Sequence, residues 1–304
     1  MERKTSKLNS GANLLTVKTP DKKEDINVAR KNKKAKTIED KNLNTPVHYK
    51  YREYLDQNEG SCDYMEDAAI SINNFNNEFF RHLFCIFDGH GGNYTAKLCC
   101  QKYPEIFKKC LLDSPFDYEQ ALKKSFLLMD KEIEKTKGKE VGNTATVVFI
   151  NNKLLYCANV GDSSCCIIGK NTEFITVDHK CTNKKESQRI EKEGGKIIED
   201  RLEGILAVSR GLGDFDLKNK GLSAEPDVTK RLIDKSVNYC VIASDGVWDV
   251  LSPEEVAKIT RNNNNIADLA KIIVETAIDK GSEDNISCIV IELNKTKGLS
   301  SFGK

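Results

Sequence analysis

No stretch of this sequence approaches the roughly 18 consecutive apolar residues of a membrane-spanning helix. The opening MERKTSKLNSG carries charges but no apolar segment of the kind a secretory signal needs, so neither a span nor a leader is expected. Glu2 stands where N-myristoylation would require glycine. No Cys-x-x-Cys pair occurs among the 11 cysteines, and their number is odd, which argues against a zinc site, a redox motif or a disulfide framework. Reduced thiols in the cytosol fit better. Cys85, Cys157, Cys240 and Cys288 lie in apolar runs, where a thiol behaves as a small hydrophobe. Cys99 and Cys100 have no arginine within the next seven residues, so a Cys-x5-Arg loop for thiol-based phosphate chemistry is missing. Internal repeats and heptads are also absent, and a monomer is expected.

What is present suffices for a large folded body. The 304 residues are 39% hydrophobic, enough for a sizeable core in one large domain or two ordinary ones. The net charge of +1 hides an asymmetry: residues 1–45 hold 12 Lys/Arg against 6 Asp/Glu, and the remainder holds 35 against 40. The basic run ARKNKKAK at 29–36 lacks aromatics and helical periodicity, so residues 1–46 read as a solvated, disordered tail. After Pro46 the texture changes, which places the folded domain at 47–296 and a short C-terminal tail at 297–304. The acidic body offers nucleic acid no basic groove. A cytoplasmic protein is expected, with the nucleus open through the basic run.

Apolar runs at 68–72, 83–87, 144–150, 154–160, 165–169, 239–244 and 286–293 read as strands, several of them covered on both faces. INNKLL and VGDSSCC read as hairpin turns between antiparallel neighbours. Helices are predicted over 118–135, where Leu122, Phe126, Met129 and Ile133 share one side, and over 184–195, 252–260 and 266–281. Ser252, Pro253 and Glu255 form an N-terminal capping signature. Together these elements predict an α+β fold of layered antiparallel sheets and helices.

The chemistry is concentrated at strand ends. HLFCIFDGHGG runs an apolar strand directly into Asp88, Gly89 and His90, VIASDG puts Asp245 just after a strand, and MEDAAISI and EDNISCIVIEL put Glu66, Asp67 and Asp284 just before others. Asp162 sits in a turn. The end of one antiparallel strand and the start of its neighbour share an edge, so these acids can converge on one rim. Carboxylates crowded on a low-dielectric rim repel one another and take up protons unless cations are present. All-oxygen ligation without cysteine or clustered histidine favours Mg²⁺ or Mn²⁺, and two ions suit this number of carboxylates.

The ordered motifs MEDA, FDGHGG, GNTATVV, ANVGDSS, VDHK, LAVSRGLGD, AEPDV, ASDGVWDVLS and EDNISCIVI, between residues 58 and 293, resemble the metal-dependent type 2C Ser/Thr protein phosphatases. The resemblance implies a four-layer sandwich of two antiparallel sheets flanked by helices, acting on phosphoprotein substrates through metal-activated water with no phosphoenzyme. It makes Asp88 the carboxylate shared by two ions, places Asp245 and Asp284 on one and Glu66 with the Gly89 carbonyl on the other, and gives Asp67 a metal-bound water. Asp162, with Asp245 and Asp249, would form a weaker third-metal site. His90 becomes the general acid for the departing alkoxide. Asn143 and Thr144 are expected to be structural, Lys180, Ser209, Arg210 and Asp214 to be structural or to position the flap, and the resemblance makes residues 178–226 a flap beside the cleft.

One position departs from the family pattern. An arginine that usually binds substrate phosphate is replaced by Cys62, and a thiol cannot supply a guanidinium's paired, charge-assisted hydrogen bonds. Either phosphate binding is weakened or another cation, Arg52 or Lys50 being the nearest in sequence, reaches the cleft. A pseudophosphatase serving as a binding module is the alternative function, and a two-metal nuclease is disfavoured by the acidic body.

Overall fold

The computed structural model of the protein describes residues 48–136, 138, 141–263 and 265–294, so the two predicted tails lie outside the described residues. Two five-stranded antiparallel sheets dominate. The first runs Lys50–Asp56, Ile286–Glu292, Val237–Ala243, Ser164–Gly169, Thr172–Phe174; the second runs Asp227–Leu232, Leu154–Val160, Ala145–Asn151, Arg81–Phe87, Ala68–Asn73.

Strand periodicity explains the layering. Along Arg81–Phe87, Leu83, Cys85 and Phe87 pack with Tyr103, Phe107, Phe126 and Met129 of the helices Tyr94–Asp113 and Tyr118–Glu134. The intervening Phe84 and Ile86 face the first sheet and meet Cys165, Ile167, Cys240, Ile242 and Ile289. On the far side, Val241, Cys288 and Val290 pack with Leu269, Ile273 and Val274 of the helix Ile266–Asp279. Both faces of each sheet are therefore covered, which is why the central strands are apolar throughout. The result is a helix–sheet–sheet–helix sandwich, as expected. No helix among the described residues is long and apolar enough to cross a membrane.

Several expectations need correction. The 20-residue helix Tyr94–Asp113 escaped prediction because it carries Pro104 in its interior, where a missing donor and ring clash oppose a helix. Burial of Leu98, Cys99, Tyr103, Phe107 and Cys110 against the second sheet outweighs that penalty. The strands Lys50–Asp56 and Asp227–Leu232 were missed because each lies at a sheet edge, where charged side chains are tolerated and the apolar signal is weak. INNKLL is a hairpin as predicted, with Asn152 at φ 55° between the paired strands Ala145–Asn151 and Leu154–Val160. VGDSSCC is not: Val160 ends a strand of the second sheet and Ser164 begins one of the first, so the turn carries the chain from one sheet to the other. Gly161, at φ 95°, is needed in this crossover because a Cβ would lie 2.5 Å from the Thr144 side chain.

The capping signature of the helix Pro253–Asn262 is realised as read: Ser252 accepts from the Glu255 amide, and Glu255 accepts from the Ser252 amide. Between Thr172–Phe174 and Asp227–Leu232 the flap carries the helix Lys184–Lys192 and a short hairpin, Ile197–Ile198 with Arg201–Leu202, over its own small core of Cys181, Ile190, Leu202, Leu217 and Leu222.

Candidate active site

The acids gather where both sheets end. Ala68 pairs with Phe87, so Asp67, just before one strand, adjoins Asp88, just after the other. Ala243 pairs with Cys288 in the first sheet, which brings Asp245 and Asp284 to the same end. A hydrogen bond joins the two sheets there: the Ser287 hydroxyl donates to Asp67 Oδ2 at 2.7 Å. Glu66, Asp88, Asp162, Asp245 and Asp284 line one pocket of about 250 Å³, together with His90.

Single oxygens of Asp88, Asp162 and Asp245 lie within 4.8 Å of one another. Burial, then the charges of Asp67, Asp245, Asp162 and Asp284, pushes the Asp88 carboxyl well above the usual range. Burial followed by Asp162, Asp284 and Asp249 pushes Asp245 up to about 8, and burial raises Asp67 to about 6 despite the help of Ser287. Asp245 Oδ1 is buried without a hydrogen-bond partner among the described residues. Crowded, desolvated carboxylates with an unsatisfied oxygen are the arrangement that a hard cation relieves.

Asn285, which the sequence reading passed over, holds the rim together. Its Oδ1 accepts from the Glu66 amide at 2.7 Å, its Nδ2 donates to the Gln57 carbonyl at 2.8 Å, and its own amide donates to Asp284 Oδ1 at 2.7 Å. Glu66 also accepts from the Gly92 amide. Gly89 permits a close approach, since a Cβ there would sit 2.5 Å from the Glu66 carbonyl oxygen. Asp88 is fixed by its neighbours: the Thr144 amide donates to its carbonyl at 2.8 Å, and Ser163 Oγ lies 3.3 Å from Oδ2.

His90 has a partner in Asp214, which the sequence places among the structural or flap-positioning residues. Its Nε2 lies 2.7 Å from Asp214 Oδ2. The short strands Gly89–His90, Gly142–Asn143 and Leu212–Gly213 form a three-stranded sheet that brings them together. Gly142 leaves the room: a Cβ there would fall 1.8 Å from Asp214 Oδ2 and 2.4 Å from His90 Nε2. Asp214 itself adopts φ 47°, a left-handed conformation that aspartate tolerates better than most residues.

The residues expected to form a third-metal site are only partly assembled. Asp162 and Asp245 share the main pocket, whereas Asp249 lies in an adjoining one with Asp245 and Asp284. The Lys180 ammonium stands 3.5 Å from both Asp162 and Asp249, tying them together. Against the cost of burial, Asp162 and Asp249 push the Lys180 ammonium up.

Comparison with known proteins gives this geometry a family. A family model described as protein phosphatase 2C matches residues 53–286. The chain belongs to the protein phosphatase 2C family. Protein phosphatase 2C homolog 1 of Saccharomyces cerevisiae is 31% identical over 272 residues, covering 82% of this chain and 96% of that protein. Probable protein phosphatase 2C 71 of Arabidopsis thaliana is 34% identical over 73% of this chain, which spans only 51% of that relative. Among solved structures, a serine-threonine phosphatase 2C from Toxoplasma gondii superposes with a TM-score of 0.73 at 20% identity over 81% of this chain and 96% of its own, a likeness of fold.

Within this phosphatase 2C domain the position of Cys62 can be described. Its Sγ lies 3.5 Å from the Glu283 carbonyl, and burial followed by Asp284, Asp67 and Glu66 pushes its thiol up, the opposite of what a reactive thiolate requires. Neither Lys50 nor Arg52 reaches the acidic pocket. Both line a separate pocket with Tyr49 and Asn265, and Arg52 donates to the Tyr51 carbonyl. The arginine that lines the acidic pocket is instead Arg201, from the flap hairpin.

Proposed function

We propose that this chain is a metal-dependent protein phosphatase that hydrolyses phosphoserine and phosphothreonine monoesters on proteins. The observation that carries the reading is the cluster of Asp88, Asp162 and Asp245, whose carboxylate oxygens converge within 4.8 Å, with one oxygen of Asp245 buried and unsatisfied. Nothing in the site favours the binding-module alternative.

The donor set fits Mg²⁺ or Mn²⁺. Asp88, Asp245 and Asp284, with Glu66 and the Gly89 carbonyl, would hold two ions, Asp67 would act through water, and Asp162 with Asp245 and Asp249 would offer a weaker third position. When bound, such ions acidify water to make a nucleophile near neutral pH and offset charge on the phosphoryl group. The protein's own groups do the rest. Asp214 Oδ2 accepts a hydrogen bond from His90 Nε2–H and fixes the ring; Nε2 keeps its proton, so the imidazolium form can give the Nδ1 proton to the departing serine or threonine oxygen and return to neutral imidazole. No residue is asked to form a phosphoenzyme. An odd number of cysteines, most of them buried in the apolar core, suits a reducing compartment, the cytosol or the nucleus.

The test is hydrolysis of p-nitrophenyl phosphate and of a phosphothreonine peptide with Mn²⁺, with Mg²⁺ and with EDTA, beside Asp245→Ala. Turnover that needs metal and disappears with chelation or the substitution supports the reading. A metal-loaded protein with no turnover on either substrate overturns it.

A further inference from the structure

We propose that Arg201, on the flap hairpin, is the substrate-binding residue that receives the phosphate group at the acidic pocket. The inference rests on the phosphatase reading above and deepens it by assigning the recognition of phosphate to the flap.

The flap contains three arginines, and two are committed. Arg189 and Arg210 both bind Glu186, at 2.8 and 2.7 Å, and Arg210 also binds Asp227 at 3.0 Å. Arg201 has no carboxylate partner among the described residues, although it lines a pocket walled by Glu66, Asp88, Asp162, Asp245 and Asp284. Its NH1 donates instead to the Ile205 carbonyl at 3.0 Å. A guanidinium has five N–H donors, so this tether leaves most of them unused. The other nearby cation, Lys180, is spent on Asp162 and Asp249.

The hairpin is built to hold this position. Leu202, next to Arg201, is buried in the flap core, and its amide donates to the Leu206 carbonyl at 2.7 Å. Leu206, Ala207 and Val208 then run along the same pocket. Glu199 and Asp200 take left-handed conformations, at φ 49° and 61°, to make the turn that precedes Arg201. The flap is therefore anchored on one side by the Glu186 network and presents one uncommitted guanidinium on the other. A phosphate dianion entering an acidic pocket needs positive charge on its solvent side as well as beneath it, and a guanidinium can meet two phosphoryl oxygens at once.

The experiment is calorimetric binding of inorganic phosphate to the Mn²⁺-loaded full chain, for wild type, Arg201→Ala, Arg201→Lys and Arg52→Ala, with KM and kcat measured on a phosphothreonine peptide. Mn²⁺ binding without phosphate and thermal unfolding confirm that each variant is folded and loaded. Arg201→Ala should weaken phosphate binding about tenfold or more and raise KM in parallel, with a smaller change in kcat. Arg201→Lys should recover only part of the loss. Arg52→Ala, in the separate pocket, should stay within about twofold of wild type. Unchanged phosphate affinity in Arg201→Ala overturns the proposal, and if KM for the peptide alone rises, Arg201 contacts the polypeptide instead. Wild-type protein that loads Mn²⁺ but does not bind phosphate also overturns it. Phosphate binding that depends on Arg201 without turnover would keep the assignment and refute the phosphatase reading.

Discussion

Two clusters of carboxylate, one within the flap around Glu186 and one on the rim around Asp88 and Asp245, differ in what neutralises them. Glu186 is buried against two arginines and the Ser209 hydroxyl; against the cost of burial, Arg210, Arg189 and Ser209 hold its carboxyl down at about 2. Asp245, half-buried among other acids, is pushed up to about 8. The flap cluster carries its own counter-charge and is a finished structural joint. On the rim only Asp162 has an ion-pair partner among the described residues, Lys180, while Asp88, Asp245 and Asp284 have none: the same residue type supports folding where arginine faces it and suits a bound cation where it does not.

The largest effect should come from Asp245→Asn. Removing one charge from the rim should lower metal-dependent turnover by roughly a thousandfold, the scale of the several kcal/mol that a metal supplies. In EDTA the same variant should be more resistant to heat than wild type, because the fold no longer has to hold a carboxyl protonated among other acids. The pH dependence follows the same sign. Between about pH 4 and 8, a carboxyl raised to about 8 in the fold stays protonated while its unfolded counterpart ionises, so stability is present at the acid end and falls as pH rises. Melting in EDTA should therefore decline from pH 5 to pH 8, and added Mn²⁺ should restore most at the alkaline end. A flat profile would contradict the crowding.

Glu186→Gln should behave in the opposite way. It leaves Arg189 and Arg210 facing a neutral partner and should destabilise the protein by about 3–5 kcal/mol, read by urea unfolding. Glu186, held low, contributes stability that is complete above the ordinary glutamate value and is lost only as pH falls toward about 2. The two clusters thus predict opposite slopes on opposite sides of pH 4.

Asp214→Asn should be smaller. Asparagine tolerates the left-handed backbone, so unfolding should hardly change. The ring of His90 loses its carboxylate, and kcat should fall roughly tenfold to hundredfold, at or below the lower end of a general acid's contribution. The smallest effect is expected from Cys62→Arg. With Arg201 already supplying a guanidinium, kcat/KM on a phosphothreonine peptide should rise by less than about threefold, well below what an otherwise unmade charged hydrogen bond brings. A larger gain would mean that the flap does not substitute.

Much of this was legible in the sequence, for a physical reason. Central strands covered on both faces must be apolar, so Leu154–Val160 was read to its ends, and acids at such strand ends stand out. Ser252 and Glu255 announce a helix because a cap is a local bond. Features decided by long-range packing were hidden. Pro104 masks the helix Tyr94–Asp113, whose stability lies in the sheet beneath it. The crossover at Gly161 to Ser163 resembles a hairpin because short turns use the same residues whichever sheet receives the next strand. Asp214 and Arg201 lie more than 100 residues from His90 and Asp88, and no local pattern joins them.

The crossover between the sheets has a further consequence. Asp88 issues from the second sheet, Asp245 and Asp284 from the first, and Asp162 from the segment passing between them. A cation held by such a set would act as a removable rivet through the sandwich, so its binding energy would be spent against the parting of the two sheets. Chelation would then be felt by the whole domain as faster unfolding, and heat inactivation would coincide with global melting rather than precede it.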